Sequence, residues 1–118
     1  MSITSIRMFA EPIRTAAFGS ITGTYTEVGA PLTNPVRVFN FQNQTDADLL
    51  ISFNGTDDHI FLPSHGFFVL DITANKNSPS GFFIFSNAPI FVKDNGTPPT
   101  TGALYVMSFY GVTNPAID

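Results

Sequence analysis

Apolar residues recur in short runs of four to eight, cut every six to ten residues by Ser, Thr, Asn, Gly or Pro. Within the runs the spacing is two rather than 3.6, and Phe, Ile, Val and Thr dominate, as on a pleated half-buried surface. Seven strands are predicted from Val36 onward: Val36–Asn43, Leu49–Phe53, His59–Leu62, Gly66–Thr73, Phe82–Phe85, Ile90–Lys93 and Ala103–Tyr110. Before Val36 the pattern is weaker, and Ile3–Ala10, Arg14–Ile21 and Thr24–Val28 are candidate strands. No segment sustains an i, i+3, i+4, i+7 stripe free of Pro or Gly, so no long helix is expected. No connection is long enough to hold the helical crossover that a parallel sheet needs. The prediction is all-β: an antiparallel β-sandwich, jelly-roll-like, with an immunoglobulin-like sandwich as the alternative.

Two details refine this reading. In Val36-Arg37-Val38-Phe39-Asn40-Phe41-Gln42-Asn43, alternation sends Val36, Val38 and one of the two Phe inward, with Arg37 and Gln42 toward water. The imperfect phase at Phe39-Asn40-Phe41 marks a bulge or a second contact face. Asn54-Gly55 and Asn95-Gly96 are tight-turn signals, because both residue types tolerate positive φ.

The chain has 118 residues, a single-domain length, with 43% apolar residues, enough for one core. Charged residues make up only 12%, against a usual share of about 25%. Net charge is −4, which disfavours a phosphate-binding surface and therefore nucleic acid. No Cys is present, which removes disulfides, thiolate metal sites and Cys nucleophiles. No apolar run approaches the roughly 20 residues of a membrane helix. The N-terminus lacks the basic and apolar regions of a secretory signal, so synthesis in a cytoplasm is expected.

Chemistry-bearing constellations are sparse. Gly-x-Ser-x-Gly is absent, and His59 and His65 are the only possible imidazole bases. Asp46, Asp48, Asp57, Asp58 and Asp71 read as turn residues accepting backbone N–H bonds. Asp46-Ala47-Asp48 and Asp57-Asp58-His59 lack the spacing of a calcium loop. The sequons at Asn43, Asn54 and Asn95 read as incidental, since Asn-Gly-Thr is also hairpin-turn sequence. No catalytic, cofactor-binding or metal-binding residue is assigned.

The aromatics carry more information. Thirteen Phe and three Tyr, with no Trp, exceed what a two-sheet core about 10 Å thick holds alongside its Val, Ile and Leu. In Phe67-Phe68 and Phe82-Phe83, alternation sends neighbouring rings to opposite faces. Some rings therefore need cover, from loops, from the N-terminal segment or from partner subunits. Phe67 and Phe83 are candidate partner contacts. Residues 1–13 are read as an extended arm or edge strand ahead of a sandwich spanning 14–118. Glu11-Pro12 and Arg14 are expected to break this segment from the sandwich. Its Ile6 and Met8 would share one face, and Ile3 and Phe9 the other, so these four are also candidate partner contacts.

Several stretches carry a likeness to known proteins: Ala17–Tyr25, Gly29–Pro35, Phe41–Asp48, Ile51–His59, Leu62–Gly66, Leu70–Lys76, Ile90–Lys93 and Ala103–Gly111. Together they resemble small virion structural proteins of tailed bacteriophages, over most of the chain from Arg14 to Gly111. The resemblance implies a non-enzymatic protein of the virion, made in the host cytoplasm and forming homo-oligomers. It implies a capsid cement or decoration protein, or else a protein of the head–tail neck or tail, in contact with major capsid or portal proteins. The expectation from another class is a carbohydrate-binding sandwich module stacking sugars on exposed rings, for which Phe lacks a polar handle.

Overall fold

A computed structural model describes residues 4–34, 36–71 and 87–115. The described residues form nine strands: β1 (Thr4–Ala10), β2 (Arg14–Ala17), β3 (Thr26–Glu27), β4 (Val36–Asn43), β5 (Leu49–Ser52), β6 (Ile60–Leu62), β7 (Phe67–Asp71), β8 (Phe91–Asp94) and β9 (Ala103–Pro115). A single 3₁₀ turn at Phe18–Ser20 is the only helical element among them. The strand predicted at Phe82–Phe85 lies outside the described residues.

Two antiparallel sheets pack together as a β-sandwich. The first runs β1-β9-β4-β7, with β2 also on β9; the second runs β3-β8-β5-β6. β2 pairs with residues 103–106 of β9 and β1 with 109–115, both on the edge of β9 opposite β4. They act as one interrupted strand. The register sum shifts by one between Ala10↔Phe109 and Arg14↔Val106, so the segment between them holds a one-residue bulge. The Glu11 N–H still bonds the Ser108 carbonyl at 3.0 Å. Glu11, Pro12 and Arg14 thus bend the strand without detaching it, unlike the break read from sequence. Pro is tolerated here because a bulge spares it a ladder hydrogen bond.

With β1 and β2 counted as one strand, the pairings nest. This strand pairs with β9, β3 with β8, β4 with β7, and β5 with β6. The chain is one long hairpin folded over on itself. Residues 111–115 of β9 pair only with β1 among the described residues, so a two-stranded ribbon runs past the end of β4. β9 alone is about 44 Å long at 3.4 Å per residue, and the molecule measures 57 × 23 × 22 Å.

The core lies between the sheets. Phe39, Phe41, Val36, Leu104 and Val106 from the first sheet meet Leu49, Ile51, Leu62 and Val92 from the second, all fully buried. Phe39 and Phe41 stack at 5.3 Å, with Phe53 tilted against Phe39 and edge-on to Phe41. This corrects the predicted phase of β4. Register slips between Val36 and Val38, which turns Val38 outward and puts both Phe inward. Arg37, expected in water, is buried at 6% exposure. Asn54-Gly55 and Asn95-Gly96 sit in connections as expected. The first lies within the seven residues joining β5 to β6, and the second opens the crossing from β8 to β9.

Candidate interaction surface

The outer face of the first sheet is built by alternation. Directly opposed residues share a face, so Phe67, Gln42, Tyr105 and Thr15 form one row across β7, β4, β9 and β2. Val69, Asn40 and Met107 form the next, and Asp71, Val38 and Phe109 form the third. Phe67 is 72% exposed and Val69 49%. Phe68 points the other way and meets Phe41 at 6.4 Å, the opposite-face split expected for the pair. The oxygen Oδ1 of Asn40 is enclosed at the centre of this face and accepts no hydrogen bond among the described residues. The first two rows carry no charged side chain, and the third holds Asp71 at the end of β7. Single-sheet faces turned to water usually alternate apolar-in with polar-out; here the outward positions of the first two rows are mostly aromatic, aliphatic and amide.

Of the six residues singled out from sequence, Phe67 lies on this face. Phe9, 43% exposed, lies on β1 and stacks on Tyr110 at 5.7 Å. Ile6 and Met8 occupy β1 opposite Thr113 and Gly111, in the ribbon. Ile3 and Phe83 lie outside the described residues. Phe67 and Phe9 are on opposite edges of the same sheet, so the candidates do not form one cluster. Phe61, 52% exposed on β6, is a ring that the sequence reading did not single out.

Several ionisable groups have structural partners. His59 Nδ1 accepts the Phe53 N–H at 3.0 Å while its ring stacks on Phe53, and His65 sits at positive φ in the turn before β7. Asp46 accepts the Thr100 N–H at 2.7 Å and the Thr100 hydroxyl. These bonds, the hydroxyl's first, hold its carboxyl below the ordinary value. Asp48 accepts the Ser64 N–H at 2.9 Å. On the outer face of the second sheet, Tyr25 donates its phenol to Asp58 while Lys93 stands 3.4 Å from Asp58 and over the Tyr25 ring. The Tyr25 bond lowers Asp58, and partial burial together with Asp58 pushes the Tyr25 phenol up. Among the described residues no three His, Asp or Glu converge closely enough to hold a metal ion.

A shallow depression lies at the bulge, lined by Pro12, Ile13, Ala30 and Pro31 around Glu11 and Arg14. Arg14 donates to Glu11 at 2.8 Å, to the carbonyls of Ala30 and Pro31 at 2.8 and 3.1 Å, and to Ser108 Oγ at 3.3 Å. Glu11 also accepts the Asn34 N–H at 3.0 Å. With its donors already used, this pair is a clasp between the bulge and the β3–β4 loop. The sequence matches no protein-family model, and no curated protein resembles it at a significant level.

Proposed function

We propose that this chain is a non-enzymatic structural protein of a bacteriophage virion, a cement or decoration protein acting through repeated subunit contacts. The observation that carries the reading is the outer face of the first sheet, where two neighbouring rows hold no charged side chain and Phe67 and Val69 are exposed. A partner surface covering this face would remove apolar area from water. The nested eight-strand order supports the same reading: on it, the sandwich is of the jelly-roll kind, an architecture used by viral capsid domains and also by lectins. The ribbon of β1 and β9 supplies a second place of contact, away from that face. A cement protein needs area and repetition rather than an active site, since many weak contacts add by multivalency.

The test is compositional. Virions from a host encoding this chain are purified, and their proteins are quantified against the major capsid protein. A cement role requires the chain in a fixed ratio to the capsid protein, at hundreds of copies per particle. A ring-sized copy number moves it to the neck or tail. Absence from particles, together with retention on a glycan array, replaces the reading by carbohydrate binding.

A further inference from the structure

The chain contains the tripeptide Asn-Gly-Thr twice, at Asn54–Thr56 and at Asn95–Thr97. Asn-Gly is the dipeptide most open to one intramolecular reaction. The glycine nitrogen attacks the asparagine Cγ, a C–N bond forms, the side-chain nitrogen leaves as ammonia, and a five-membered succinimide results. Water then opens the ring at either carbonyl, giving aspartate or isoaspartate. Glycine permits this because no side chain obstructs the approach of its nitrogen. Ring closure also requires the carboxamide to be free to turn toward that nitrogen.

The two sites differ in that freedom. At Asn54, Oδ1 accepts the N–H groups of Thr56 and Asp57, both at 2.9 Å, and the Ser52 hydroxyl at 2.9 Å. Its Nδ2 donates to Asp57 at 2.7 Å, and the Gly55 N–H is turned onto Ser52 Oγ at 2.9 Å. At Asn95 the residue is exposed, and its carboxamide makes no hydrogen bond among the described residues; only its backbone N–H is held, by the Asp48 carbonyl at 3.1 Å. Gly96 is at φ +98° with open space where a Cβ would be, and its N–H points at the Asp94 carboxylate, 2.9 Å away. The nucleophilic nitrogen therefore already faces a group able to take its proton.

We propose that Asn95 is a site of spontaneous deamidation, with Asp94 as proton acceptor, and that the hydrogen bonds of Asn54 protect the chemically identical tripeptide. Each event replaces a neutral amide by a carboxylate in the β8–β9 crossing. The isoaspartyl product also adds a methylene to the backbone there.

The full chain is incubated at mildly alkaline pH, and peptides containing each Asn are followed by mass spectrometry, with an isoaspartyl methyltransferase as an independent label. Folded, Asn95 converts at least about tenfold faster than Asn54, since ring closure at Asn54 must first break several hydrogen bonds. In denaturant the two rates converge, because the two sites share the Asn-Gly-Thr tripeptide. Asp57→Ala raises the rate at Asn54 without changing that at Asn95. Asn95→Gln removes the fast site. Equal rates in the folded chain, a faster Asn54, or no conversion at Asn95 overturns the proposal. An unchanged Asn95 rate in Asp94→Asn overturns the role given to Asp94.

Discussion

Glu11 and Arg14 meet at 2.8 Å across the bulge between β1 and β2, with side-chain exposures of 3% and 8%. Burial by itself raises the Glu11 pKa, but hydrogen bonds from Arg14, Asn34 and Thr33 outweigh it and lower the group overall. A carboxyl lowered on folding stabilises the native state above its ordinary pKa, and this contribution is lost as pH falls through the folded value. Stability should therefore hold from neutral pH to the ordinary glutamate range and decline below it. Glu11→Gln should flatten that acid limb and cost about 3–5 kcal/mol at neutral pH, because Arg14 is left buried without its counter-charge. Denaturant melts across pH for both proteins check this.

Phe41 and Phe67 stand on adjoining strands and should behave oppositely. Phe41→Ala should cost about 3–5 kcal/mol by opening a cavity beside Phe39 and Phe53. Phe67→Ser should change monomer stability by no more than about 0.5 kcal/mol. On the proposed function, only the second variant remains folded and loses particle binding, as co-sedimentation would show.

Asn43 ends β4 with no exposed surface. Its Nδ2 reaches the carbonyls of Ala47, Leu62 and Pro63 at 2.8, 3.1 and 3.0 Å, while Oδ1 accepts the Thr45 N–H at 2.9 Å. Asn43→Ala should cost about 2–4 kcal/mol by orphaning buried carbonyls. The same burial closes this sequon: expression in a glycosylating host should leave Asn43 unmodified in folded protein, as peptide mapping would show.

Gly102, at φ +88°, precedes β9 with its Cα against the turn after β4. A Cβ there would lie 1.9 Å from the Gln44 carbonyl oxygen. Gly102→Ala should exceed the roughly 1–3 kcal/mol of left-handed strain alone, because backbone must also move. Its thermal midpoint should fall below that of Gly96→Ala, where the space is open.

The strands were legible in the sequence because alternation and turn residues are local signals, and β4 through β9 begin within a residue or two of their predicted starts. The phase of β4 was not, because a bulge between Val36 and Val38 leaves no mark beyond an ambiguous run of apolar residues. Pairing was illegible too: the contact between Arg14 and Ser108 joins residues 94 apart in sequence. The spacing of Glu11 and Arg14 was visible, but their burial depends on the β3–β4 loop that covers them. Phe67 was legible as a surface residue, because a Phe-Phe step in a strand must turn one ring outward. Phe61 was not, since exposure on an edge strand depends on which neighbour is missing.

The nested pairing also constrains how the chain acquires its structure. β9, last of the strands in sequence, lies inside the first sheet between β1 and β2 on one edge and β4 on the other. While a ribosome is still extending the chain, that sheet lacks its centre, and β5–β6 is the one pair that a short hairpin can close early. Its formation must wait for β9 to emerge, with the loop entropy of nearly the whole chain still opposing closure. Closure of that sheet should be slow, with the apolar β4 and β7 edges exposed to aggregation in the interval.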